Sequence, residues 1–167
     1  MANQLRILGL DPGLRRTGWG VVAIDGARLA HLAHGVVAAP ETAPLAERLL
    51  YIHRGVVEVI ACWAPDEAAI EETFVTANGS STLKLGHARA AAMLAPAAAG
   101  LPVAEYAATV VKKALVGTGG ADKKQIAFMV ARLLPTAGGP VADAADALAV
   151  AICHAHARRI RSIGRAA

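Results

Sequence analysis

The chain has 167 residues, a net charge of +4 at pH 7, and 55% hydrophobic residues but only 4% aromatic ones. That length suits one domain, 1–167, with a core of small side chains, since alanine and valine carry most of the apolar content. Two cysteines without a motif leave room for at most one disulfide, and no apolar window reaches membrane-spanning length free of charge or proline.

Cys62 and Cys153 fall in apolar helical contexts and read as buried free thiols of a reducing compartment. Met1-Ala2-Asn3-Gln4 begins no signal peptide, so a cytoplasmic location is expected. The basic surplus is uneven. Lys112, Lys113, Lys123 and Lys124 cluster, and a short basic tail begins near Arg158. An anionic partner fits this pattern without being required by it.

Residues 5–11 predict a strand, followed by the turn Pro12-Gly13. Thr17 to Asp25 predicts a second strand, Asp25-Gly26 a tight turn, and 28–38 a third strand antiparallel to the second. After Pro44, apolar residues Leu45, Leu49, Ile52, Val56, Val59 and Ile60 recur at helical spacing up to Trp63. A buried strand is expected at 67–72, a polar loop from Thr73 to Ser81, a helix from Leu83 to Ala99, and a strand at 103–106. Helices follow at 108–116 and 122–134 around Gly117-Thr118-Gly119-Gly120, and Pro140 opens a last helix to about Arg159. Three meandering strands followed by helix-linked ones predict an α/β fold. Its mixed five-stranded central sheet would have helices on both faces.

Four carboxylates stand on these apolar elements. Asp11 ends the first strand, Glu71 ends the fourth, and Asp143 and Asp146 lie three apart on one face of the last helix. An unpaired buried charge is costly, and no basic residue is fixed by sequence beside Glu71, Asp143 or Asp146. A hard divalent cation held by oxygen ligands is therefore the first reading. If the first and fourth strands are parallel neighbours, Asp11 and Glu71 meet at the carboxyl edge of the sheet, where ligands bind in open α/β folds. Such a cluster suits two ions about 3.5–4 Å apart and in-line displacement at phosphorus. Plainer roles exist for single members: Asp11 as a turn residue, Glu71 with Glu72 as a solvated pair, Asp143 as a helix cap.

Leu8-Gly9-Leu10-Asp11-Pro12-Gly13 with Thr17-Gly18-Trp19-Gly20 resembles the opening of the RuvC family of Holliday-junction resolvases. Further fragments follow in the family's order: Ala69-Ile70-Glu71 to Phe74, Asn78, Leu83-Lys84-Leu85-Gly86, Ala88-Arg89, Glu105-Tyr106, Val111-Lys112, Lys123 and Ala142 to Ala149. The resemblance implies a ribonuclease-H-like fold and a homodimeric, Mg2+-dependent endonuclease that cuts a four-way DNA junction symmetrically. It places Asp11, Glu71, Asp143 and Asp146 on catalytic, metal-binding positions, with two ions per site and Mn2+ as a substitute for Mg2+. The RuvA and RuvB branch-migration proteins become candidate partners.

The resemblance also puts Lys112 and Lys123 on DNA-facing basic positions and makes Phe74 a ring that stacks on an unpaired base. Arg15 and Arg16 follow Asp11 closely, and Arg15 is taken as a candidate contact to the cut strand. The helix carrying Leu83, His87, Ala90, Ala91 and Leu94 is implied to pair with its twin across a twofold axis. Phe128, between Ile126 and Val130, is expected in the core. Two other functions stay open. One is an actin-like or sugar-kinase-like ATPase using Asp11-Pro12-Gly13 and the 117–120 glycine loop, which is no Walker P-loop. The other is a non-catalytic junction-binding module.

Overall fold

The computed structural model describes residues 4–72 and 77–164, and the side chains of these up to residue 160. Strands β1 (Leu5–Asp11), β2 (Arg16–Asp25) and β3 (Arg28–Ala38) form an antiparallel meander. Gly26 takes φ 58° in the turn between β2 and β3, which a residue without Cβ adopts freely. Helix α1 (Leu45–Trp63) crosses over to β4 (Glu67–Glu71), which lies parallel to β1. Helix α2 (Gly79–Ala98) leads to β5 (Val103–Tyr106), parallel to β4. Helices α3 (Ala108–Val116), α4 (Lys123–Leu133) and α5 (Ala142–Gly164) complete the chain, with a 3-10 turn at Pro135–Ala137 before α5. The strand order is β3-β2-β1-β4-β5, the mixed sheet expected from the order of elements.

β1 is central and buried on both faces, so its apolar run is nearly continuous. Leu8 and Leu10 point to one side, into a cluster with Ile52 and Val56 of α1 and Ala88, Ala92 and Ala95 of α2. Ile7 points to the other, against Leu148 and Ile152 of α5, Val111 of α3 and Ile126 of α4. On that second face Gly9, Gly18 and Gly20 present bare backbone. A Cβ at Gly9 would overlap the Ala147 carbonyl, one at Gly18 the Asp143 carbonyl, and one at Gly20 the Leu148 side chain. Helix α5 therefore lies flush on β1 and β2, closer than any side chain would permit.

Three expectations need correction. Helix α2 starts at Gly79, four residues before Leu83, because the Asn78 side chain accepts from Ser81 N–H at 3.2 Å and caps a polar first turn. Phe128 is 64% exposed, while Ile126 and Val130 are buried; two residues from each, Phe128 falls on the opposite helix face. Cys62 is exposed, and only Cys153 is buried. Both thiols are free, and burial pushes Cys153 up to about 11. Among the described residues no helix is long and apolar enough to cross a membrane.

Candidate active site

Asp11 and Glu71 each stand one step past the last β1–β4 pair, Leu10 with Ile70, and so end neighbouring parallel strands side by side. The close seating of α5 brings Asp143, in its first turn, and Asp146, one turn further, over the same edge. Asp11, Glu71, Asp146, Lys112 and Lys123 line one pocket of about 240 Å³. Asp143 lies beside this lining, next to the loop that follows Asp11.

Two sets of hydrogen bonds fix the frame. In the loop after Asp11, buried Thr17 donates its hydroxyl to Gly13 O at 3.0 Å, and Arg48 of α1 donates to Leu14 O at 3.0 Å. At the other strand, Arg89 of α2 donates Nε–H to Glu71 O at 3.0 Å while its Nη2 pairs with Glu105. Arg89 thus ties the end of β4 to β5 and α2. Its place in a sequence fragment carried no hint of this role, because the contact spans elements far apart in the chain.

The electrostatics are those of a crowded acid set. Burial, then the charges of Glu71, Asp146 and Asp143, push the Asp11 carboxyl up to about 7, against the opposing pull of Lys123. Glu71 is also raised, by burial and Asp146, with Lys112 and Lys123 opposing. Lys123 is raised in turn, chiefly by Asp146.

Basic residues do stand beside the acids, although the linear sequence fixes none there. Lys123 Nζ lies 3.3 Å from Asp146 Oδ2, and Arg16 Nε donates to Asp143 Oδ2 at 2.6 Å. Both partners are remote in sequence, which is why the linear pattern hid them. With these pairs formed, no three His, Cys, Asp or Glu side chains among the described residues stand in a metal-holding arrangement. The donor set itself suits a hard divalent ion: the candidate ligands are all carboxylates, and burial with the charges of its acidic neighbours raises Asp11 in spite of Lys123.

The other expected contacts divide. Lys112 and Lys123 face the pocket. Arg15 turns away, its Nε 3.7 Å from Glu41 with both side chains largely exposed, and it is Arg16 that reaches the acids. Phe74 lies outside the described residues. On α2, Leu83, Ala90 and Leu94 are exposed, whereas Ala91 turns inward to the core. Gly117 caps α3 in the left-handed conformation, its N–H bonded to Lys113 O, so the glycine loop ends a helix. His154, late in α5, is buried: its Nε2 lies 2.8 Å from Glu67 and its Nδ1 2.8 Å from the Tyr106 hydroxyl.

The model of the family described as crossover junction endodeoxyribonuclease RuvC matches residues 7–154. A relative of that name from Maricaulis maris is 64% identical over 167 residues, covering 100% of both chains. Another, from Caulobacter vibrioides, is 65% identical over 159 residues, covering 94% of each. Among solved structures, T. thermophilus RuvC in complex with Holliday junction substrate superposes with a TM-score of 0.86 at 37% identity, covering 93% of this chain and 96% of that one. The fold is ribonuclease-H-like, as the sheet order and these matches agree.

Proposed function

The chain belongs to the RuvC family of crossover junction endodeoxyribonucleases, and we propose that it resolves four-way DNA junctions by metal-dependent hydrolysis of one phosphodiester in each of two strands. The observation that carries this reading is the gathering of Asp11, Glu71 and Asp146 in one pocket at the carboxyl edge of the sheet, with Lys112 and Lys123 in the same lining. Carboxylates gathered this closely mark a point where a positive ligand is bound favourably.

In this reading Asp11, Glu71, Asp143 and Asp146 are the catalytic and metal-binding residues. They would hold Mg2+, or Mn2+ in its place, two ions per site, and such ions would supply an activated water and charge stabilisation for the leaving oxygen. The water oxygen bonds to phosphorus as the bond to the leaving sugar oxygen breaks; that oxygen takes up a proton, and the chain ends in one phosphate and one hydroxyl. Glu71, its backbone held by Arg89, and Asp11, at the head of a pinned loop, keep their places throughout.

Lys112 and Lys123 contact phosphate at the rim of the pocket, and Arg15 reaches DNA from its outer side. Phe74 stacks on a base near the crossover. The whole chain, 1–167, acts as one domain. Exposed Leu83, Ala90 and Leu94 supply an apolar α2 face for pairing with a second copy, which sets two sites against two strands. RuvA and RuvB are the candidate partners that bring the junction, in the cytoplasm.

The test is incubation with a synthetic four-way junction and with linear duplex, each with and without Mg2+. Paired symmetric nicks in the junction alone, and only with the ion, are expected. Binding without nicking under every condition would instead support a non-catalytic junction-binding module.

A further inference from the structure

Arg16 pairs with Asp143 at the edge of the acid set. Its Nε–H meets Asp143 Oδ2 at 2.6 Å, and the pair is partly exposed, with side-chain accessibilities of 51% and 34%. The backbone beneath it is fixed. Residue 16 opens β2, Thr17 is buried and bonded to Gly13, and Ala39 N–H holds Arg15 O at 3.0 Å. The Arg16 side chain, half exposed, extends from this fixed base toward Asp143. Asp143 carries no other ion pair among the described residues, and Arg16 carries none but this one.

We propose that Arg16 is a tethered counter-cation for Asp143: the divalent ion displaces it, and the freed guanidinium then binds a phosphate of the strand being cut. The inference rests on the metal reading above. Ion pairs this exposed are weak, so a doubly charged ion shared by several carboxylates outcompetes one guanidinium. Displacement leaves a planar, permanently charged fork beside the pocket, and phosphate is the ligand its geometry fits. Lys123, paired with Asp146 across the pocket, is a point charge without that fork, so the two cations are not equivalent.

Two measurements on the full-length protein test this. The first is calorimetric Mn2+ binding without DNA, for wild type, Arg16→Gln and Arg15→Gln. Arg15 is adjacent and equally charged but faces Glu41, so it controls for mere loss of charge. Arg16→Gln is expected to bind Mn2+ roughly two- to fivefold more tightly, the worth of one half-exposed pair, and Arg15→Gln distinctly less so. The second is the salt dependence of junction binding, with and without Ca2+ as a probe ion. With Ca2+, the slope of log K against log salt should fall by about one for Arg16→Gln, and Arg16→Lys should keep it. Without the ion the slope should not change.

Equal tightening by both glutamine variants, or none, overturns the counter-cation role. A slope that falls equally with and without Ca2+ shows a guanidinium already free, and overturns the displacement. A wild-type chain that binds no Mn2+ overturns the metal reading itself and this inference with it; the other two outcomes leave that reading standing.

Discussion

Gly18 of β2 lies directly beneath Asp143 of α5: a Cβ built on it would overlap the Asp143 carbonyl oxygen. Gly9 on β1 repeats the relationship one turn along, where a Cβ would overlap the Ala147 carbonyl oxygen. These glycines set the height of α5 above the sheet, and so the distance of Asp143 and Asp146 from Asp11. Gly18→Ala and Gly9→Ala should each cost about 1–3 kcal/mol by overpacking, lowering Tm by roughly 2–4 °C per kcal/mol. Cleavage should fall further than stability, because the helix carries two of the acids with it. Thermal melts beside junction assays run well below the melting range check this; full cleavage in a destabilised Gly18→Ala would show that the site tolerates the displacement.

Asp11→Asn and Asp146→Asn each keep the shape of the side chain and remove its charge. Cleavage should fall by at least about 10²-fold, the scale of losing one preorganised charged group at a reacting centre. Junction binding should survive or strengthen, since one repulsive charge beside phosphate is gone. Gel-shift and cleavage assays on the same preparations separate the two. Normal cutting by either variant would remove that residue from the catalytic set.

Lys112 and Lys123 flank the pocket and pull Glu71 back toward its ionised form. Lys112→Ala and Lys123→Ala should each lower the slope of log K against log salt for junction binding by about one. Lys123→Ala should also perturb the acids more, because its Nζ is 3.3 Å from Asp146. A binding series from low to high salt reads the slope; a variant whose slope matches wild type does not touch phosphate.

Glu67, at the start of β4, joins α5 to the sheet through His154 and Arg158. Burial alone would raise its carboxyl, but hydrogen bonds from His154 and Arg158 outweigh that and hold it below the usual 4.5. A lowered acid stabilises the fold above its unfolded value and loses that contribution as pH falls through the folded one. Glu67→Gln should therefore cost on the order of 1 kcal/mol at neutral pH, the worth of a hydrogen bond to a charged group discounted for the exposed Arg158. The gap to wild type should close as the medium is acidified below 4.5. Melts across that range decide it, and a gap that widens in acid would reverse the sign.

Much of this molecule is written in local pattern. The apolar run before Asp11, the Asp25-Gly26 turn, and the helical spacing from Leu45 to Ile60 each specify an element through contacts close in sequence, and all three form as expected. The three-residue spacing of Asp143 and Asp146 is likewise a property of any helix. What the chain could not announce by itself is who stands opposite whom. Arg16 meets Asp143 across 127 residues, Lys123 meets Asp146 from a different helix, and Arg89 holds the Glu71 carbonyl from α2. Phe128 looked apolar enough for the core, yet the packed face of α4 was chosen by Ile126 and Val130. Periodicity fixes which residues share a face; only collapse onto the sheet, with α5 seated on bare glycine backbone, decides which charges must then neutralise one another.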